Sequence, residues 1–332
     1  MQTRKVPDIA WALGDPAGIG PEIVAKSLAS PEMMGVCRPV VVGPVWLLKR
    51  GMQIAGVEKD ITPCDPARID DISAESIALV DEGWPFEDIS MGEVSPAAGK
   101  LASQMLRAAL KLAQKGHVDA VVYGPLNKEA MKLAGSSYSD ELTLIASWLQ
   151  ETDVGEVNVV GGLFTTRVTS HVPFRDVASF LHPDRILKAI RLLHRTLVRA
   201  GVSEPVIGVA AVNPHGGEHG LFGNEEQDVI APAVSVAKNE GINAEGPYPA
   251  DTIFVRAKGG GFHGVVTMYH DQGQIAMKLM GFDKIVSVQG GLSIHVVTPS
   301  HGTAFDIAGK GIANPGAFQE AVHVAARMAG GD

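Results

Sequence analysis

Val265-Val266-Thr267-Met268-Tyr269-His270-Asp271-Gln272-Gly273 is the stretch from which the fold can be read. Its first half is small, apolar and β-favouring, which predicts a short buried strand. His-Asp-Gln-Gly follows, and Gly273 ends the run. Open α/β sheets bind ligands beyond the carboxyl ends of their strands, so His270 falls where chemistry is usually done. Two other segments have the same form. Thr165-Thr166-Arg167-Val168-Thr169-Ser170 runs into His171-Val172-Pro173, and Val206-Ile207-Gly208-Val209-Ala210-Ala211-Val212 runs into Asn213-Pro214-His215-Gly216-Gly217. Taken singly, each histidine is as open to a packing or hydrogen-bonding role as to ligation. Three imidazoles after three strands, each beside a Pro or Gly, suit one divalent metal. Only neutral imidazole ligates, so binding should weaken at low pH.

Composition bounds the rest. The chain has 332 residues, 45% hydrophobic and 20% charged, which fits one large α/β unit or two domains with ample core. A formal charge of −9 argues against a nucleic-acid partner. The two cysteines, Cys37 and Cys64, make no disulfide framework and no metal spacing, which fits a reducing, cytoplasmic compartment. No apolar run approaches the roughly eighteen residues of a membrane span. Arg4 and Lys5 precede a short apolar segment, but Asp8 and Asp15 interrupt it, so no signal peptide is expected.

Outward from the histidines, strands and helices alternate. Strands are expected at 9–13, 39–43, 77–80 and 119–123, and helices at 45–55, 97–115, 182–199 and 225–239, with a last helix from about Ala317. Leu101, Met105, Ala109 and Leu112 share one helical face, as do Ile186, Ile190, Leu193 and Leu197. This alternation predicts a mostly parallel sheet covered on both faces. Gly14-Asp15-Pro16-Ala17-Gly18-Ile19-Gly20, followed by Pro21-Glu22, reads two ways. It is a plain strand-to-helix turn, or a place where backbone approaches a ligand at a helix N-terminus. Residues 299–315 form a long loop of small and polar residues. His117, His182, His194, His219, His263 and His323 have no nameable partner and read as solvated or satisfied. Lys278 lies among Met277, Leu279 and Met280; an ammonium there needs a partner, and an anionic substrate group is one.

Several of these stretches together resemble a known family. Gly14-Asp15 through Gly18-Ile19-Gly20-Pro21-Glu22, and His301-Gly302-Thr303-Ala304 through Asp306-Ile307-Ala308-Gly309-Lys310-Gly311-Ile312-Ala313-Asn314-Pro315, resemble the isocitrate and isopropylmalate dehydrogenase superfamily. With Gly124-Pro125-Leu126-Asn127-Lys128, Asn213-Pro214-His215 and Tyr269-His270-Asp271-Gln272-Gly273, the pattern is similar to its 4-hydroxythreonine-4-phosphate dehydrogenase branch. The resemblance implies an α/β fold, isocitrate/isopropylmalate dehydrogenase-like, of two α/β/α lobes with a central cleft. Residues 1–130 plus 285–332 would form the nucleotide-binding lobe, and 131–284 the metal, substrate and dimer-interface lobe.

The resemblance also assigns roles. His171, His215 and His270 would hold the metal, with His171 given by the partner of a homodimer. Zinc is the expected metal, with magnesium, manganese and cobalt open. NAD or NADP would lie on Gly14, Asp15, His301, Gly302, Asp306 and Asn314. Lys278 would touch substrate, and the general base is open between Asp271 and Lys278. The implied reaction is oxidation of a secondary alcohol of a hydroxy acid, then decarboxylation of the β-keto acid.

The substrate positions depart from that pattern. The branch carries Gly-His-Thr-Glu after its Gly-Pro strand, and here Glu141 and Leu142 fall on the His and Thr. An Asn and an Arg further on align with Ser287 and Val296, so only Lys278 survives of five substrate positions. Losing a bidentate arginine costs roughly 2–3 kcal/mol, about two decades of affinity, and a carboxylate at 141 repels a dianion. The expectation is therefore an unphosphorylated substrate such as terephthalate cis-dihydrodiol. The alternatives are 4-phosphohydroxythreonine or a phosphorylated four-carbon sugar acid, with Arg175 or His295 taking over the anion. A non-catalytic metal- or nucleotide-binding module is the competing class, disfavoured by the intact ligands and Lys278.

Overall fold

The computed structural model describes residues 6–73, 76–138 and 140–330; Arg4 and Lys5 lie outside them. The chain divides into two compact units. One runs through Thr152 and resumes over Val286–Val288 and from Leu292 onward; the other is Asp153–Ile285 with Gln289–Gly291. Residues 131–152, expected in the second lobe, thus group with the first.

The first unit contains β1 (Asp8–Ala12), α1 (Gly20–Leu28), α2 (Pro31–Val36), β2 (Arg38–Val42), α3 (Val45–Ala55), β3 (Ile61–Pro63), β4 (Ile77–Val80), α4 (Pro96–Gln114), β5 (Ala120–Tyr123), α5 (Lys128–Leu133) and α6 (Glu141–Leu149). The second contains β6 (Gly155–Val160), β7 (Leu163–Arg167), α7 (Pro183–Arg199), β8 (Ile207–Ala210), α8 (Ala231–Asn239), β9 (Ala244–Tyr248), α9 (Ala250–Lys258), β10 (Gly264–Thr267) and α10 (His270–Gly281). The chain then forms β11 (Val286–Gly290), β12 (His295–Pro299) and α11 (Gly316–Met328).

Strand order in the first unit is β3-β4-β2-β1-β5-β12-β11, parallel except for the antiparallel β11–β12 pair. In the second it is β6-β7-β10-β8-β9, parallel except for β6–β7. The inner strands β1, β4, β5, β8 and β10 are buried at every residue. This is why they read as unbroken apolar runs rather than alternating ones. Trp11 on β1 packs edge-on against Phe318 of α11, ring centroids 5.3 Å apart. On α4, Ser95 accepts from Ala98 N at 3.1 Å and Pro96 opens the first turn, a regular helix start.

Three expectations change. The strand before His270 stops at Thr267, and His270 itself opens α10 rather than ending a strand. The helix expected over 225–239 begins as a π turn, Glu226–Ile230, before α8. β3, β6, β9, β11, β12 and α2, α5, α6, α9 and α10 are additional; most are short, with weak apolar periodicity. Among the described residues no helix is long and apolar enough to cross a membrane.

Contact between α4 and α5 depends on Gly99, where a Cβ would lie 2.1 Å from the Ala130 carbonyl oxygen. Gly99→Ala should therefore lose roughly 1–3 kcal/mol despite alanine's better helix propensity. Urea denaturation checks this, and an unchanged midpoint would show that the helices part without cost.

Candidate active site

In the second unit β10 lies between β7 and β8, all three parallel. Their carboxyl ends meet on one edge, and each carries a histidine just beyond it. His171 follows β7, His270 follows β10 and His215 follows β8. Short bonds hold this edge together. Thr169 N and Oγ1 both donate to Met268 O, at 3.1 and 2.8 Å, tying the His171 segment to that of His270. Gln272 accepts from Met268 N and donates to Ala211 O, both at 2.7 Å, tying the His270 segment to that of His215.

His171 and His215 have φ of +53° and +51°. Such left-handed backbone costs a β-carbon-bearing residue of order 1–3 kcal/mol and persists where its surroundings impose it. Around His215 the imposing group is Glu226, 3% exposed. Its Oε1 accepts from Val212 N and Asn213 N at 2.9 and 2.8 Å, and its Oε2 from Asn213 Nδ2 at 3.0 Å.

Two of the rings have a carboxylate beside Nδ1. His270 Nδ1 is 2.6 Å from Asp271 Oδ1, and His215 Nδ1 is 3.2 Å from Glu218 Oε1. A carboxylate on Nδ1 fixes the tautomer that leaves Nε2 as the free lone pair, the usual arrangement behind a metal-bound histidine. The His171 and His270 ring centroids are 5.9 Å apart within one chain. Among the described residues one chain gathers no set of three His, Cys, Asp or Glu side chains that would hold a metal. The donor chemistry fits a cation; a single chain does not complete the set.

Lys278 stands two turns along α10 from His270, exposed and with no hydrogen-bond or ion-pair partner among the described residues. Of the apolar surroundings expected for it, Met277 is buried and Met280 half-buried against the core, while Leu279 is 84% exposed. Asp271 is exposed beside His270.

The first unit brings its motifs together differently. The 14–20 turn is buried throughout. Gly14 (φ +76°) lies where a Cβ would meet the Gly124 carbonyl carbon at 2.6 Å. The glycines therefore serve backbone packing, and Gly14 and Asp15, expected to touch cofactor, are not open to a ligand in this chain. Lys26 Nζ donates to Gly311 O and Ala313 O at 2.9 and 2.7 Å and to Glu22 Oε1 at 2.8 Å; Ala313 N donates to the same carboxylate. Ile19 N donates to Thr303 O at 3.1 Å. The 14–22 and 301–315 stretches are thus one tied assembly. His301 is half-buried, while Gly302, Asp306 and Asn314 are exposed. Asn314 Oδ1 accepts from Gly316 N at 2.9 Å.

The substrate positions read from alignment fare less well. Val296, the second residue of β12, is fully buried opposite Val121, so it faces no ligand. Ser287 is buried, its Oγ 2.7 Å from Ser300 Oγ. Glu141 and Leu142 open α6 half-buried, with Glu141 3.9 Å from Lys128 Nζ, which offsets its charge.

A family profile described as pyridoxal phosphate biosynthetic protein PdxA matches residues 35–325. The chain belongs to the PdxA family. A Rhizobium meliloti (strain 1021) protein provisionally named 4-hydroxythreonine-4-phosphate dehydrogenase 2 is 46% identical over 97% of this chain and 93% of its own. The D-threonate 4-phosphate dehydrogenase of Cupriavidus necator is 38% identical over 98% of each. The solved 4-hydroxythreonine-4-phosphate dehydrogenase of Klebsiella pneumoniae is 39% identical, covers 97% of this chain and 99% of that one, and superposes with a TM-score of 0.87. A terephthalate 1,2-cis-dihydrodiol dehydrogenase from Burkholderia xenovorans LB400 is more distant, at 30% identity and TM-score 0.69.

These PdxA relatives overturn the expected unphosphorylated diol substrate. The physical reason is that the argument rested on Val296 and Glu141. One is core, and the other is countered by Lys128. Sequence reasoning also passed over Gln272, Glu226 and Arg167, whose signal was a polar residue next to a histidine motif or inside a buried strand.

Asp15 gives a pH test of the buried turn. Its Oδ1 accepts from Ala17 N at 2.8 Å, while its fully buried Oδ2 has no partner among the described residues. Burial raises its pKa to about 6, partly opposed by the Ala17 hydrogen bond and the Arg50 charge. A raised carboxyl pKa favours folding while protonated, so its contribution is present below about pH 4 and lost as pH rises through about 6. Asp15→Asn removes that dependence. Its stability relative to the parent should rise by roughly 2–3 kcal/mol between pH 4 and 7, by urea denaturation. A pH-independent difference would place Asp15 in a wetter site.

Proposed function

We propose that this PdxA-family member is an NAD(P)-dependent dehydrogenase of a 4-phosphorylated, four-carbon 3-hydroxy acid, 4-phosphohydroxythreonine or D-threonate 4-phosphate. The observation that carries this reading is the identity of 38–46% across almost the whole chain with proteins of those names. The histidine edge at β7, β10 and β8 supplies the chemistry such an oxidation needs.

His171, His215 and His270 would hold a divalent metal, zinc being the best match to an all-imidazole set, with manganese, cobalt or magnesium as substitutes. When bound, the cation supplies Lewis acidity that lowers the pKa of the alcohol and then stabilises enolate charge. The chain's own groups do the rest. Asp271 and Glu218 engage Nδ1 of the His270 and His215 rings, which would leave Nε2 to the cation. Asp271 is engaged by His270, so proton transfer falls to Lys278, which has no partner among the described residues. Arg175, 85% exposed and four residues beyond His171, is the cation suited to the phosphate that Val296 does not touch. His301, Gly302, Asp306 and Asn314 would receive the dinucleotide. In either substrate the alcohol is β to the carboxylate, so oxidation leaves a β-keto acid poised to lose carbon dioxide.

A homodimer follows from the same reading. Ile275, Leu279 and Phe282, at 59%, 84% and 67% exposure, form an apolar stripe along and just past α10, with Phe174 also exposed. A second copy of the chain covering this stripe would bring its His171 to the site. Free Cys37 and Cys64 support a reducing, cytoplasmic setting.

Reduced-cofactor absorbance with zinc or manganese tests the proposal on both phosphorylated acids and their dephosphorylated forms. The phosphorylated forms should lead in kcat/KM by about a hundredfold, the worth of a charge-assisted phosphate grip. Equal rates with and without phosphate, or no rate with either, would contradict it.

A further inference from the structure

Arg167 is the last residue of β7, four residues before His171, and its side chain is only 9% exposed. Every nitrogen of its guanidinium is used. Nη1 donates to Asn158 Oδ1 at 2.7 Å, Nε donates to Ser170 Oγ at 3.1 Å, and Nη2 pairs with the Glu156 carboxylate. Asn158, 2% exposed, accepts on the same Oδ1 from Gln274 Nε2, and its Nδ2 donates to Glu156 Oε1 at 3.0 Å. The β6–β7 register, with Asn158 opposite Thr165, places Glu156 opposite Arg167 when continued.

The ends of this network matter most. Ser170 immediately precedes His171, and Gln274 lies one turn after His270 on α10. One buried guanidinium therefore grips the turn that presents His171 and, through Asn158, the helix that presents His270. A buried ion pair is poor value as a stabiliser, because apolar residues of similar volume commonly do as well or better. A fork with fixed donor directions is what holds two segments in register, and lysine cannot replace it.

We propose that Arg167 is a positioning residue that fixes the turn presenting His171 and the helix presenting His270, so that each ring is held for the metal it binds. This rests on the metal reading given above. Arg167→Lys keeps the charge opposite Glu156 and loses the fork. The double variant Glu156→Gln with Arg167→Met removes both charges without orphaning either. Zinc affinity is read by competition with a chromophoric chelator, and the melting temperature of the metal-stripped protein is read alongside.

Arg167→Lys should bind zinc about 10–100-fold more weakly, the usual cost of losing a partner behind the ligands, with its metal-free melting temperature close to the parent's. The double variant should lose affinity to the same degree; if it does not fold, the lysine variant decides alone. Parental zinc affinity in Arg167→Lys, or affinity lost only in step with metal-free stability, overturns the proposal. A parent protein that binds no divalent cation instead overturns the metal reading itself.

Discussion

Parallel strands deliver their carboxyl ends to one edge, and the rest of the candidate site depends on that constraint. Because β7, β10 and β8 are adjacent and parallel, residues far apart in the chain, at 171, 215 and 270, emerge side by side. The sheet alone does not aim the rings. Aim comes from Gln272 and Thr169, which lace the three strand ends together, and from left-handed backbone at His171 and His215. Backbone strain of that kind is tolerated because Glu226 and the neighbouring strand ends leave those loops no cheaper path.

The first unit uses the same principle for a different purpose. There the strand ends carry glycine, and backbone packs on backbone where Gly14 meets Gly124. The half-buried Lys26 and fully buried Glu22 then clamp the 301–315 stretch from below. Its exposed residues can meet a ligand because the buried ones are fixed. One unit thus offers imidazoles and the other a tied polar loop, and the proposed metal and dinucleotide roles rest on those placements.

Much of the fold was legible wherever the physics is local. α3 spans residues 45–55 as expected, and β4 and the long helices α4 and α7, whose apolar periodicity is strong, fall within a residue or so of expectation. The histidine edge was legible because a buried strand, a shape-forming Pro or Gly, and an imidazole repeat three times. What was not legible is set by tertiary context. β11 and β12 are short runs of mixed apolar and polar residues whose pairing comes from the sheet. Asp15 looks like a ligand in a glycine turn and is a buried carboxyl. Val296 looks like a lost arginine and is core. Conclusions about phosphate drawn from such positions failed because alignment gives the residue without its exposure.

Anomalous scattering from zinc-soaked crystals, recorded on both sides of the metal's absorption edge, tests the central idea most directly. One strong peak per chain, within bonding distance of Nε2 of His270 and His215 and of a His171 Nε2, is the predicted result. A peak that avoids those nitrogens, or none at a concentration that saturates the protein in solution, would contradict the account.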